Sequence, residues 1–436
     1  MSNTKDNFQI ITFGCRLNIF ETGVIKEKLE NSNLKDTVII NSCTVTNEAK
    51  NSVKKAIRKL KKKDPHKKII VTGCAAQKDP LEFAEMKEVS KVIGNEEKFD
   101  SKYYLDANNN INQNFSNGNL DFKSKIAVRN IMDIKTISSE VILKNIQPQT
   151  RAFMQIQNGC NHRCTFCVIP FGRGNSRSVK IENILEQIRN FISIGYKEII
   201  FTGIDISCYG EDLQVKITLS EMIRRVLINF PELKRLRLSS IDLAEIDDDL
   251  FNLIATQKRI MPHIHISLQA GSDMILKRMK RRHRRSDIID FCHNLRSIRH
   301  DVAFGADIIA GFPTETEEMF EETKNLISEA QIQYLHVFPY SAHSGTPASR
   351  MPQINRETIK KRVAILIEEG KNQENIFFKN HMGKKAQILV EQGKFSHTEN
   401  FIPVKLEEEI SKKYYGQILN AKLTESGNKN YLKAII

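Results

Sequence analysis

Short Val- and Ile-rich runs alternate with helical stretches along most of this chain, and that alternation restricts the fold more than any other feature. Phe8–Thr12, Thr37–Asn41 and Lys68–Thr72 are apolar and β-branched, each followed by small or polar residues, and the first two lead into helical stretches. Strands separated by helices pair in parallel. One cysteine stands just beyond each run: Cys15, Cys43 and Cys74. Their spacings, 28 and 31 residues, each match one βαβ unit, so the three thiols should converge at the carboxyl edge of the sheet.

From Arg151 the alternation resumes. Ala152–Gln157, Glu198–Gly203, Arg235–Ser240, His263–Gln269, Phe304–Gly311 and Tyr334–Tyr340 read as strands. Helical patterns lie between them, among them Ile181–Ile194, closed by Gly195, and Glu315–Ala330, opened by Thr314 with Glu317 completing a capping box. Six such units are too few for an eight-unit barrel and imply a partial, open one. Residues 106–119 are polar and read as a loop without regular structure. Beyond Lys384, four short strand patterns (Ala386–Glu391, Asn400–Leu406, Gly416–Leu423 and Tyr431–Ile436) fit a small barrel of the oligonucleotide-binding type. The expected organisation is α/β: an N-terminal parallel α/β domain over 1–105, a linker over 106–150, a partial (β/α)6 barrel over 151–375 and a small β-barrel over 380–436.

A chain of 436 residues fits two or three domains. No apolar run approaches the roughly 18 residues of a membrane span, so the protein is expected to be cytoplasmic, with no membrane partner. Eight cysteines are too sparse for a disulfide framework, and reduced thiols are free to bind metal. A net charge of +14 favours a polyanionic partner, although an AT-rich genome produces the same Lys-rich bias.

Cys160, Cys164 and Cys167 form a CxxxCxxC loop directly after the first strand of the second series. Here the chain resembles the radical S-adenosylmethionine (SAM) superfamily, over about Arg151 to Ser344. The resemblance implies a 4Fe–4S cluster on three thiolates, with the fourth iron open to SAM. Zinc is the rival occupant, with His162 the one nearby candidate for a fourth ligand. The resemblance also implies that later strand ends hold SAM. Asp205 would accept the methionine ammonium, Gln269, Ser272 and Ser239 would lie near the ribose and carboxylate, and Ile308–Gly311 would run along the adenine, with Phe166 of the cluster loop also at the cofactor. Each of these positions also fits an ordinary strand end or helix cap. Cys292, at helical spacing among Ile288, Phe291 and Leu295, reads as a buried thiol, and Cys208 as an inert one.

The N-terminal motifs narrow the resemblance. Gly14-Cys15-Arg16-Leu17-Asn18, Asn41-Ser42-Cys43-Thr44-Val45-Thr46-Asn47 and Gly73-Cys74-Ala75-Ala76-Gln77 look like the three signatures of the methylthiotransferase family, and the C-terminal barrel resembles the TRAM RNA-binding module. Thr44–Asn47, Gln157–Gly159 and Gly172–Ser178 look like the branch acting on N6-threonylcarbamoyladenosine at position 37 of tRNA, rather than those acting on isopentenyladenosine or a ribosomal protein. The resemblance implies two 4Fe–4S clusters, the second on Cys15, Cys43 and Cys74, together with SAM, a low-potential electron donor and a sulfur donor. A non-catalytic iron–sulfur RNA-binding protein would leave the six-unit barrel unexplained. Two basic runs fit tRNA phosphates: Lys54–Lys68, and a denser one including Lys280, Arg281, Arg282, Arg284 and Arg285.

Overall fold

The computed structural model describes residues 8–30, 32, 34–105, 122–138, 150–425, 427 and 430–436. At the N-terminus, β1 (Phe8–Thr12), β2 (Thr37–Ser42), β3 (Lys68–Gly73), β4 (Lys91–Ile93) and β5 (Ile126–Ala127) form one sheet in chain order, every pairing parallel. All six residues of β2 are buried, because helices cover both faces. Ile39 and Ile70 face Ile25 and Leu29 of helix α1 (Arg16–Leu29), while Val38, Ile40, Ile69 and Val71 face Val53 and Ile57 of helix α2 (Asn47–Lys63). β5 falls in the stretch read from sequence as linker. Two residues are too short a run to register as a strand pattern, yet they pair with Val92 and Ile93. The loop expected over 106–119 lies outside the described residues.

β6 (Arg151–Gln155) begins the catalytic unit, and a small antiparallel hairpin of β7 (Gln157–Asn158) and β8 (Arg177–Ser178) follows it. β9 (Glu198–Thr202), β10 (Arg235–Leu238), β11 (His263–Gln269), β12 (Ala303–Ala310) and β13 (Tyr334–Pro339) complete the wall. β6, β9 and β10 pair in parallel, as do β11, β12 and β13, and the bridges Leu236–Ile260 and Ile241–Ile266 join the two halves. The result is a six-stranded open barrel. Alternate residues separate its two faces: Ile199, Phe201, Leu236, Leu238, Ile264, Ile266, Phe304 and Ile308 enter the hydrophobic layer under the helices. Glu198, Arg235, Arg237, His263, His265 and Asp307 take the other parity and face inward.

Helix Ile181–Ile194 ends at Gly195 in the left-handed conformation, as the sequence implies. The later helix starts at Glu317, and its cap is Thr316, whose hydroxyl accepts from the Met319 N–H. Thr314 is not the cap because it takes φ +68, and the Glu315 carboxylate turns back to the Gly311 N–H and Arg362.

A 26-residue helix, Arg356–His381, leads to a closed barrel of β14 (Lys385–Leu389), β15 (Ser396–Thr398), β16 (Pro403–Lys405), β17 (Ile418–Thr424) and β18 (Leu432–Ile435). β15 is absent from the sequence reading. Its Ser-His-Thr has no apolar alternation, and its buried hydroxyls bond to the Glu391 N–H and Asn400 instead. This barrel packs under the base of the catalytic one. Phe401 stacks on His263 at 5.0 Å, Arg237 lies over the same ring at 4.9 Å, and Arg151 pairs with Glu391 at 2.8 Å. No helix among the described residues is long and apolar enough to cross a membrane.

Candidate active site

The loop carrying Cys160, Cys164 and Cys167 leaves the carboxyl end of the first catalytic strand, and its anchors are backbone bonds. Cys160 N–H donates to Gly174 O at 3.1 Å, Cys167 N–H to Cys164 O at 3.1 Å, and Thr165 N–H to Met279 O at 3.1 Å. Burial pushes the Cys167 thiol up to about 12; burial, then the Asp205 carboxylate, raises Cys160 as well. Three sulfurs on one loop fit an iron–sulfur cluster with one open iron. Nearby donors fit sulfurs carrying charge: His162 N–H lies 3.3 Å from Cys160 Sγ and Arg281 Nη1 3.8 Å from Cys164 Sγ. The His162 ring, the fourth zinc ligand weighed from sequence, faces Asp205 at 2.9 Å, and that carboxylate raises its pKa.

The residues read as SAM contacts gather at the same carboxyl end. Asp205 follows β9, its N–H held by Gln157 Oε1 at 2.9 Å. Ser239 follows β10 and buries a hydroxyl with no hydrogen-bond partner among the described residues. Gln269 ends β11 at φ +71, where the pairing with β12 shifts register, and Ser272 is buried at the N-cap of helix Asp273–Arg278. Phe166 meets Phe312 edge-on at 6.5 Å. Cys208 is buried 3.5 Å from Asp205 and 3.7 Å from His162, while Cys292 is buried in the hydrophobic layer with its thiol pushed up to about 12 by burial.

The denser basic run divides. Arg281 is not on the surface: its side chain is 7% exposed and pairs with Asp242 at 3.0 Å, also donating to Ser267 O at 2.7 Å. Arg282 pairs with Glu245 and Asp242, and Arg285 with Glu329. Lys280 and Arg284 are exposed. On α2, Lys50 and Lys54 pair with Glu82, whereas Lys55, Arg58, Lys59, Lys62 and Lys63 face outward.

Cys15 caps α1, Cys43 follows β2 and Cys74 follows β3, as the spacing implies. Two glycines let them approach. Gly73 has φ +94, and a Cβ there would lie 2.4 Å from Ser42 O; a Cβ on Gly14 would lie 2.8 Å from Cys43 Cβ. Burial pushes the Cys43 thiol up to about 11, and Cys74 adds to it. Arg173, 1% exposed, reaches these cysteines from the catalytic unit. Its Nε donates to Cys74 Sγ at 3.1 Å, Nη1 to Glu21 at 2.7 Å and Asn158 at 3.1 Å, and Nη2 to Asn18 at 2.6 Å. Lys98 joins Glu21 at 2.7 Å, and Asn95 donates to Gly172 O. A buried guanidinium aimed at a cysteine sulfur fits a thiolate ligand. Sequence reading missed Arg173, Glu21 and Lys98; the arginine inside Gly172–Ser178 was the available signal.

The N-terminal domain sits across both free edges of the open barrel. Leu17, Phe20 and Val24 pack on Phe153 and Ile204 beside β6, and on the other side Asn47 N–H bonds Ser341 at 3.3 Å and Val45 O meets His343 at 3.1 Å, just past β13. Two three-cysteine sites therefore face one mouth.

Two family models match the chain: the radical SAM superfamily over residues 154–327 and the uncharacterized protein family UPF0004 over residues 7–94. The threonylcarbamoyladenosine tRNA methylthiotransferase MtaB of Rickettsia prowazekii (strain Madrid E) is 52% identical, over 98% of this chain and 97% of its own. The chain belongs to the radical SAM methylthiotransferase family. A tRNA-2-methylthio-N(6)-dimethylallyladenosine synthase of Carboxydothermus hydrogenoformans (strain ATCC BAA-161 / DSM 6008 / Z-2901) is 30% identical to this methylthiotransferase, covering 89% of this chain and 88% of its own. Among solved structures, the radical SAM methyltransferase TsrM of Kitasatospora setae, with cobalamin and a 4Fe–4S cluster bound, superposes with a TM-score of 0.55 over 78% of this chain and 77% of its own. At 11% identity that is a likeness of fold alone.

Proposed function

We propose that this methylthiotransferase adds a methylthio group to C2 of N6-threonylcarbamoyladenosine at position 37 of tRNA. The observation that carries the reading is the pair of three-cysteine sites at one mouth, joined through Arg173 and Cys74. One such site serves SAM cleavage; a second serves the insertion of sulfur. Identity of 52% to a relative named for threonylcarbamoyladenosine, against 30% to one named for dimethylallyladenosine, favours the first substrate.

When bound, the clusters and two SAM molecules supply the 5′-deoxyadenosyl radical that takes the C2 hydrogen and the methylated sulfur that replaces it. The residues of the chain hold and orient these groups. Cys160, Cys164 and Cys167 hold the first cluster, and Cys15, Cys43 and Cys74 the second. Asp205 accepts the methionine ammonium, with Ser239, Gln269 and Ser272 on the remainder of SAM and Phe166 packing the cluster loop against it. Arg173 keeps Cys74 in register with the catalytic unit. Lys280, Arg284 and the outer face of α2 meet tRNA phosphates. The cycle also requires a low-potential electron donor and a sulfur donor.

Incubating the reconstituted protein with SAM, dithionite, sulfide and tRNA tests this reading. Mass spectrometry should find 2-methylthio-N6-threonylcarbamoyladenosine, and 5′-deoxyadenosine should be released. Methylthiolation of isopentenyladenosine alone would move the protein to the other branch, and no 5′-deoxyadenosine would leave an iron–sulfur RNA-binding protein.

A further inference from the structure

Two carboxylates on the inner face of the catalytic barrel keep different company. Glu198 of β9 draws three arginines, Arg151, Arg237 and Arg235, at 2.7, 2.9 and 3.5 Å. Asp307 of β12 has no lysine or arginine within ion-pair distance among the described residues. Two imidazoles flank it instead: His265 Nε2 of β11 lies 3.0 Å, and His336 Nδ1 of β13 3.1 Å, from the same oxygen, Oδ1.

The sheet itself builds this cluster. Asp307 and His336 are in register on neighbouring parallel strands, and Leu335 and Val337, on either side of His336, pack on the hydrophobic layer. His336 therefore shares the inward face with Asp307. His265 is in register with Gly305, two residues before Asp307, so its ring leans along the sheet to reach the carboxylate. Gly305 permits that approach, because a Cβ there would lie 2.5 Å from His265 Nδ1 and 3.2 Å from Cε1. The three atoms Nε2, Oδ1 and Nδ1 all lie within 4.8 Å of one another. An ion bonded to each at about 2.0 to 2.1 Å in tetrahedral geometry sets its ligands about 3.3 Å apart, close to the two separations found. The side chains are 10%, 26% and 60% exposed for His265, Asp307 and His336, so the cluster is closed on one side and open to the interior on the other.

We propose that His265, Asp307 and His336 form a metal site beyond the two cysteine sites, and that it takes one divalent ion of the zinc type. Two imidazoles and a carboxylate, with no thiolate among them, suit zinc and not a further iron–sulfur cluster. The ion takes the place of the protons that the two imidazoles otherwise direct at Oδ1, and the carboxylate supplies a negative charge to meet it. Three protein ligands leave a fourth position, on the open side beside His336, for water or a substrate oxygen.

Zinc binding to the anaerobically reconstituted, full-length protein tests the site. Zinc buffered by a chelator should be retained at one ion per chain with the iron content unchanged. Such a donor set binds zinc more tightly than iron(II), so iron left from reconstitution does not block it. Zinc K-edge absorption should show nitrogen and oxygen ligands at about 2.0 to 2.1 Å and no sulfur at about 2.3 Å. Asp307→Asn and His336→Gln should each weaken zinc binding by about a hundredfold or more, since losing even a partner outside the ligand set costs about ten- to a hundredfold. His336 is largely exposed, so its variant removes a ligand without opening the core, and iron content and melting temperature check the fold of both. Sulfur ligation would overturn the site by placing the zinc on cysteines. No zinc retained by wild type, or equal affinity in wild type and the folded variants, would reduce the three residues to a hydrogen-bonded triad.

Discussion

Replacing Arg173 by Met keeps most of the side-chain volume at the junction between the two cluster-bearing units and removes its charge. The size of the effect can be worked from Glu21. Burial alone would raise that carboxyl, but Arg173 and then Lys98 hold it at about 2, against an ordinary 4.5. At about 1.4 kcal/mol per pH unit, the depression represents about 3 kcal/mol of stability. Because the folded value lies below the unfolded one, that stability is fully present above pH ~4.5 and is lost as the pH falls toward 2. Lys98 remains at 2.7 Å from Glu21 in the variant, so Arg173→Met should forfeit about 2 to 3 kcal/mol, the low end for breaking a buried pair. Hydrogen exchange of the α1 amides in the reconstituted protein at pH 7 reads this locally, where a single global transition would not serve a three-domain chain. Exchange through opening of the junction should accelerate by about 30- to 160-fold, and Arg173→Lys, which retains charge but loses the fork, should fall between. Acceleration under about threefold would refute the view that Arg173 ties the two units together.

Replacing Cys160, Cys164 and Cys167 by Ala should halve the iron and abolish SAM cleavage, whereas replacing Cys15, Cys43 and Cys74 should halve the iron and leave cleavage measurable; unchanged iron in the second variant would remove the second cluster. Asp205→Asn should weaken SAM binding about tenfold or more without loss of iron, and an unaltered titration would show that the carboxylate serves His162 alone. Lys280→Ala with Arg284→Ala should flatten the salt dependence of tRNA binding by about one to two units in the log–log slope, and a wild-type slope would place tRNA elsewhere. Arg281→Ala should instead cost about 1.5 to 3 kcal/mol in local opening read by hydrogen exchange, since Asp242 keeps only Arg282 at 3.5 Å and His283 at 3.9 Å, and a neutral result would contradict that pairing.

The sequence made the cysteine sites legible because strand ends and spacing are local properties. Cys15, Cys43 and Cys74 could be gathered from β-branched runs alone, and the six catalytic strands from short apolar runs set between helical patterns. Charge was harder to read. Arg281 and Lys280 are neighbours in one basic run, yet Asp242, some forty residues earlier in the chain, buries the first and leaves the second in solvent. Arg173 looked like an ordinary motif arginine, because its partners arise only when two domains meet. The cap at Thr316 in place of Thr314 turned on the Glu315–Arg362 pair, which joins the turn before one helix to the following helix and is not visible in a four-residue capping pattern.

The interlock at the base of the catalytic barrel has a consequence for how the chain is made. Arg151 and Arg237 leave the ribosome early, but Glu391, the Glu399 carbonyl and Phe401, which complete their surroundings, emerge near the end of synthesis. Until then three arginines share Glu198, and the barrel floor is open to water. Maturation of the catalytic unit therefore waits on the last strands, and a nascent or truncated chain lacking them would present chaperones and proteases with an unfinished barrel.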